Sequence, residues 1–230
     1  MSVAKRIVTI LFVLLPGSIV FPQSYIHPNV GLKSHKTLEI LKIESTPENT
    51  TIFFSIENRI AGGAFCADRN IYIIYPDGTR LPVVSSKGIP RCPDSYKFKK
   101  IGEKLNFTLT FPALQPGTGW IDIKEDCSDN CFSFYGVLLN NALNARIDEA
   151  VSLVDKGEVD TAIGLYKSII ETAEPTGNGI TGSLYADLIS LLVNKGYTAM
   201  AKDYYNRLVN SSVPAKQLYV QNLGSRGIKF

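Results

Sequence analysis

From Thr37 to Leu139 apolar and polar residues alternate with a period of two. In the stretch 104–111, Leu105, Phe107, Leu109 and Phe111 fall on one face, and Lys104, Asn106, Thr108 and Thr110 on the other. That pattern predicts a strand with one buried and one wet face. Ile52, Phe54 and Ile56 give the same inward row in the segment 51–57, and the segment 38–43 supplies an earlier strand. The segment 70–84 predicts two strands around Pro76-Asp77-Gly78. There proline presets φ, aspartate hydrogen-bonds across the bend and glycine takes positive φ. The segment 120–139 predicts a hairpin with Ile121 and Ile123 facing Phe132 and Phe134.

About seven short strands with turn signals between them predict an antiparallel β-sandwich of immunoglobulin-like size over residues 37–139. After Leu139 the period changes, and the chain repeats itself. Leu153 answers Leu192, Val154 answers Val193, and Lys156-Gly157 answers Lys195-Gly196. Ala162 answers Ala201, Tyr166 answers Tyr205, and Pro175 answers Pro214, always 39 residues on. Each copy reads as two helices. Gly157 and Gly196 stop the first by taking the left-handed conformation. Asp160 is placed as the N-cap of the second helix in the first copy. Ala162 and Ala201 let the paired helices approach, and Tyr166 and Tyr205, four residues on, fill the space above.

The turn glycine, the alanine five later, the tyrosine four after that and the terminal proline resemble the tetratricopeptide repeat. The period here exceeds the family's usual length of about 34 residues, and the excess falls in the segment 176–180. The resemblance covers about residues 140–214. It implies protein or peptide binding in a groove lined by the first helices, and no catalysis. A last helix from Pro214 to Gly224, with Ala215, Leu218, Tyr219 and Leu223 on one face, reads as a cap. Residues 225–230 read as a flexible tail. The fold class expected is therefore a two-domain α+β chain: the sandwich, then an all-α repeat with its cap over 140–224.

The first residues read as an export signal over 1–24. A short basic stretch ending in Lys5-Arg6 precedes an apolar run, Ile7 to Leu15, which Pro16 and Gly17 break. That run is too short to serve as a mature anchor, which needs about 20 apolar residues. The formal net charge of +3 includes Lys5 and Arg6, so the rest is near neutral and carries no nucleic-acid footprint. The expected place is exported, periplasmic or secreted. In such a chain the four cysteines, Cys66, Cys92, Cys127 and Cys131, read first as two disulfides. A bridge from Cys127 to Cys131 across Ser128-Asp129-Asn130 would leave Cys66 for Cys92. Free thiols and a zinc site are the alternatives, although the spacing lacks the close-set pairs of common zinc sites.

Candidate chemistry is sparse. His27 and His35 both precede the first clear strand, and no nucleophile elbow, H-E-x-x-H or phosphate-binding glycine loop is present. Asp122, Glu125, Asp126 and Asp129 crowd one stretch but lack the spacing of a calcium loop. They read as a solvated hairpin tip, Tyr96 reads as part of a pinned loop, and the Gly62-Gly63 pair reads as a loop. Cys127 and Cys131 as a redox pair would need cationic neighbours, and theirs are acidic. Trp120 and Phe53 fall on nominally wet faces. They are a docking surface for the helical half, or a surface for a sugar or a partner. No cofactor and no metal are expected. The leading reading is an exported non-enzymatic adaptor that meets another envelope or extracellular protein through its helical repeat. The alternative is a carbohydrate- or surface-binding module built on the sandwich, with purely structural helices.

Overall fold

The computed structural model describes residues 22–230. Of the leader expected over 1–24, residues 1–21 lie outside that range, and Gln23 and Ser24 belong to the first strand. Among the described residues the chain is α+β: twelve strands, all paired antiparallel, then five α-helices. Strands are numbered in chain order. One five-stranded sheet runs β1 (Gln23–Ile26), β3 (Leu38–Ser45), β4 (Asn49–Glu57), β10 (Lys104–Pro112), β8 (Ser85–Lys87). The other runs β2 (Val30–Lys33), β12 (Ser133–Leu138), β11 (Trp120–Glu125), β6 (Ile71–Ile74), β7 (Arg80–Pro82). A small ribbon pairs β5 (Ala64–Phe65) with β9 (Tyr96–Lys97).

The predicted alternation sets the core. Ile52, Phe54 and Ile56 of β4 and Leu105, Phe107, Leu109 and Phe111 of β10 are all buried, and in the opposite sheet so are Ile121, Ile123, Phe134 and Val137. Both sheets feed one core. The Phe54 ring stacks on Phe107 within its own sheet at 5.0 Å and tilts against Phe134 of the other at 5.8 Å. The turn between β6 and β7 forms as read, with Asp77 Oδ1 accepting from Thr79 N at 2.8 Å and Gly78 at φ 85°.

The helices are α1 (Asn141–Asp155), α2 (Val159–Ala173), α3 (Thr181–Asn194), α4 (Thr198–Asn210) and α5 (Lys216–Ser225). Gly157 and Gly196 end the first helix of each pair at φ 80° and 78°. Ala162 and Ala201 are fully buried, and Leu192 is buried while Leu153, on the end helix, is only half-buried. Three local readings need correction. Asp160 caps nothing. Glu158 precedes α2 without a side-chain cap, while Asp160 sits in the first turn and accepts from Lys195 Nζ at 3.0 Å and Tyr197 OH at 3.1 Å. It ties the turn of one hairpin to that of the next. Tyr166 is buried, but its counterpart Tyr205 is only half-buried. The neighbouring Tyr204 takes the inner position, and Tyr205 meets Phe230 edge-on at 5.4 Å. The last residues pack back on the helices: Ile228 is buried in the helical core and its N–H bonds Leu223 O at 3.0 Å.

The two halves share a tight seam. Leu138 and Leu32 pack into the helical core, and β2 faces α3. Asn144 of α1 is buried there. Its Oδ1 accepts from Asn29 N at 2.8 Å and Asn29 Nδ2 at 3.1 Å, and its Nδ2 donates to Leu138 O at 3.2 Å. Gly136, at φ 63°, meets the backbone of Gly179, and a Cβ on either residue would overlap its neighbours. Tyr219 of α5 lies over Gly31 and Gly182 and donates its hydroxyl to Gly179 O at 3.2 Å. The first helix of each pair, with α5, therefore faces the segment 29–32 of the same chain.

Candidate functional site

The pole of the β half remote from the helices is stapled. Cys66 bonds Cys92 and Cys127 bonds Cys131, with Cα atoms 5.3 Å and 5.5 Å apart. Both bridges line one open cleft of about 910 Å³. Its floor takes Ile56, Phe65 and Phe98, and its walls come from the ends of β4, β5 and β11 and from the loop between the second pair of cysteines.

Local bonding explains how this pole holds its shape. Glu125 is 8% exposed, and its carboxylate accepts from Asp68 N at 2.7 Å and Phe132 N at 3.1 Å. Burial nevertheless pushes its pKa above the usual range, because desolvation outweighs those two bonds. Asn58, also buried, braces two loops at once. Its Nδ2 donates to Lys100 O at 2.9 Å, its N–H bonds Glu103 O, and its carbonyl accepts from Gly102 N. Gly63 is required beside it, since a Cβ would overlap the Asn58 amide. Tyr96 donates to Glu103 Oε1 at 2.6 Å, which lowers the pKa of that carboxylate. These braced loops hold two isoleucines out in water, Ile60 at 66% and Ile101 at 60% exposure. Ile60 lines the cleft, and Ile101 adjoins the Lys100 carbonyl that Asn58 holds. On the cleft wall Arg59 pairs with Glu57 at 3.2 Å.

The crowded carboxylates do not converge. Asp122 accepts from Gly136 N at 2.8 Å on the far side of the strand pair, Glu125 is engaged as above, and Asp126 pairs with Arg80. Among the described residues no group of three or more His, Cys, Asp or Glu side chains could hold a metal ion. Compared with known proteins, the chain matches no family model, no curated protein and no solved structure. Its chemistry therefore rests on its own residues.

His35 lines the cleft, where burial lowers its pKa, and His27 stands in a turn at φ 44° outside it. The two wet-face aromatics part company. Trp120 is half-buried against Gly179, at the seam with the helices. Phe53 lies on the other sheet, with the Lys42 ammonium 4.6 Å above its ring. The structure brings neither to the cleft. The parts of the cleft are far apart in the sequence: Ile56 and Phe65 lie on β4 and β5, while Asn58, Ile60 and Phe98 stand in loops, so no local pattern gathers them. The one available signal was the isoleucine in each of two Gly-containing loops that alternation does not explain. Among the described residues no helix is long and apolar enough to cross a membrane.

Proposed function

We propose that this chain is an exported, non-enzymatic binding protein that takes a protein partner at the disulfide-framed cleft. In this reading the β half is an immunoglobulin-like sandwich, and the two helical pairs are tetratricopeptide-like hairpins that brace it. The observation that carries it is the pair of exposed isoleucines, Ile60 and Ile101, held out on loops that Asn58 locks. Pre-ordered apolar side chains, one lining the cleft and one on the braced loop of Lys100, cost little entropy to bury, which is how interface anchors gain their strength. Two disulfides belong to the chemistry of an oxidising compartment, which supports export.

The adaptor role through the helical groove has less support, since the segment 29–32 already occupies the face of α1, α3 and α5 where a partner would lie. The carbohydrate reading loses its best ring, because Trp120 packs against Gly179. The test is site-specific photocrosslinking in the exported compartment, with the reactive residue at Ile60, Ile101 or, on the outer face of α4, Val209. Adducts to one defined protein from the two isoleucine sites, with those from Ile101 lost on Ile60→Asp, support the cleft. Adducts from Val209 alone overturn it in favour of the helices.

A further inference from the structure

A second cavity lies where the halves meet, enclosed by β2 on one side and by α1, α3 and α5 on the other. It holds about 250 Å³. Its character is split. Ile147 and Val151 of α1 and Leu184 of α3 form an apolar wall. Asp187 of α3 and Asn222 and Arg226 of α5 form a polar end.

The polar end is under-bonded. Asn222 Oδ1 is buried and accepts no hydrogen bond from any described residue. Among the described residues Asp187 has no close donor. Arg226 Nη1 stands 3.9 Å from Asp187 Oδ1, too far for a hydrogen bond, and Nη1 donates instead to Ser190 Oγ at 3.3 Å. The Asp187 and Arg226 side chains keep 46% and 45% of their surface open, so both remain reachable from solvent. Yet protein surrounds the carboxylate closely enough to raise its pKa to about 6, against the pull of Arg226. Two acceptors thus want donors, one guanidinium has spare donors, and a greasy wall stands beside them. A buried acceptor without a donor is costly, and a ligand that supplies one recovers that cost.

We propose that this seam cavity binds a small aliphatic α-amino acid as its zwitterion. Its ammonium group donates to Asp187 and Asn222 Oδ1, its carboxylate accepts from Arg226, and its side chain lies against Ile147, Val151 and Leu184. An amine alone would leave Arg226 unused, and a carboxylic acid alone would leave the two acceptors unserved. Because β2 closes one side and helices the other, the ligand would bridge both halves. This site is independent of the distal cleft.

The experiment is calorimetric titration of the full mature protein with L-leucine and L-valine. Parallel titrations use 3-methylbutylamine, which lacks the carboxylate, and 4-methylpentanoate, which lacks the ammonium. The expected result is saturable 1:1 binding of an amino acid, weakened at least about 10-fold for each truncated analogue and for Asp187→Asn and Arg226→Met. Arg226→Met keeps the test open should Asp187→Asn unfold, since the half-exposed guanidinium bonds only Ser190. Absence of binding by both amino acids, or binding indifferent to both variants, would each overturn the proposal.

Discussion

The indole of Trp120, on the last-sheet strand β11, packs directly on the backbone of Gly179, in the turn that leads into α3. A methyl group on that glycine would overlap the six-membered ring of the indole, and Gly179 in turn receives the Tyr219 hydroxyl on its carbonyl. Strand, turn and last helix therefore close on a single residue. Gly179→Ala should destabilise the whole protein by about 1–3 kcal/mol, since the added methyl would lie within 3 Å of three atoms of the indole. Equilibrium denaturation followed by tryptophan fluorescence and by far-ultraviolet circular dichroism should give one coincident transition, shifted to lower denaturant. Two separated transitions would mean that the halves are independent.

The same seam decides what happens to the helices alone. Repeat hairpins bury their apolar faces only against neighbours, and about three are normally needed. Here two pairs and α5 lean on Leu32, Leu138 and Gly31 of the β half. A fragment of residues 140–230 loses all three contacts. It should melt well below the intact chain, or without a cooperative transition, in calorimetry. Cooperative melting at the temperature of the intact protein would show a free-standing module.

Asn144 is the polar keystone of that contact. It satisfies Asn29 N, which is part-buried, and Leu138 O, which is buried. Asn144→Ala leaves both without partners and should cost about 2–4 kcal/mol, at about 1–3 for each buried orphan with partial relaxation. Asn140→Ala removes a different bond, the side-chain cap on Leu143 N, and should cost only about 1 kcal/mol. Urea midpoints of the two variants measure the difference, and equal shifts would refute the keystone role.

Much of this was legible from pattern, and what was not has physical reasons. Nine-residue strands such as β4 and β10 carry enough alternation to declare both their presence and their inward face. The four-residue strands β1 and β2 carry too little, so alternation predicts no strand before Thr37. Fixed spacing marked Gly157, Gly196, Ala162 and Ala201, because turn geometry and close packing admit few residue types there. The same spacing misplaced Tyr205, since a helix face is decided by what packs on it, and Phe230 lies against Tyr205. Asn144 gave no signal at all. A buried asparagine in a helix looks like a surface asparagine until its distant partners, Asn29 and Leu138, are known.

The two disulfides close loops of unequal length, 26 residues from Cys66 to Cys92 and 4 from Cys127 to Cys131. Loop-closure entropy assigns about 3.5 kcal/mol to the first and about 2 kcal/mol to the second. Cys66→Ala/Cys92→Ala should therefore lower the melting temperature more than Cys127→Ala/Cys131→Ala. Loss of the shorter bridge acts locally, because Glu125 still holds Phe132 N and Asp68 N. Differential scanning calorimetry of the two double variants ranks them, and the reverse order would contradict loop entropy as the leading effect.

Asp187 sets a pH dependence whose sign can be worked through. Its folded pKa of about 6 lies above its ordinary value of 3.8 because burial penalises the charge and Arg226 only partly offsets it. A raised folded pKa means that the native state holds the proton more tightly than the unfolded chain. The stability contributed by the neutral carboxyl is complete below about pH 4 and lost as pH rises through about 6. Asparagine keeps the shape without the charge. Asp187→Asn should thus be more stable than the natural protein at pH 8, and the gap should narrow steadily as pH falls toward 4. Denaturant midpoints of both proteins at pH 8, 6 and 4.5 measure it. A gap that stays constant, or widens on acidification, would show that the Asp187 charge is paid for in the native state by Arg226 after all, and that the carboxylate belongs to a working ion pair.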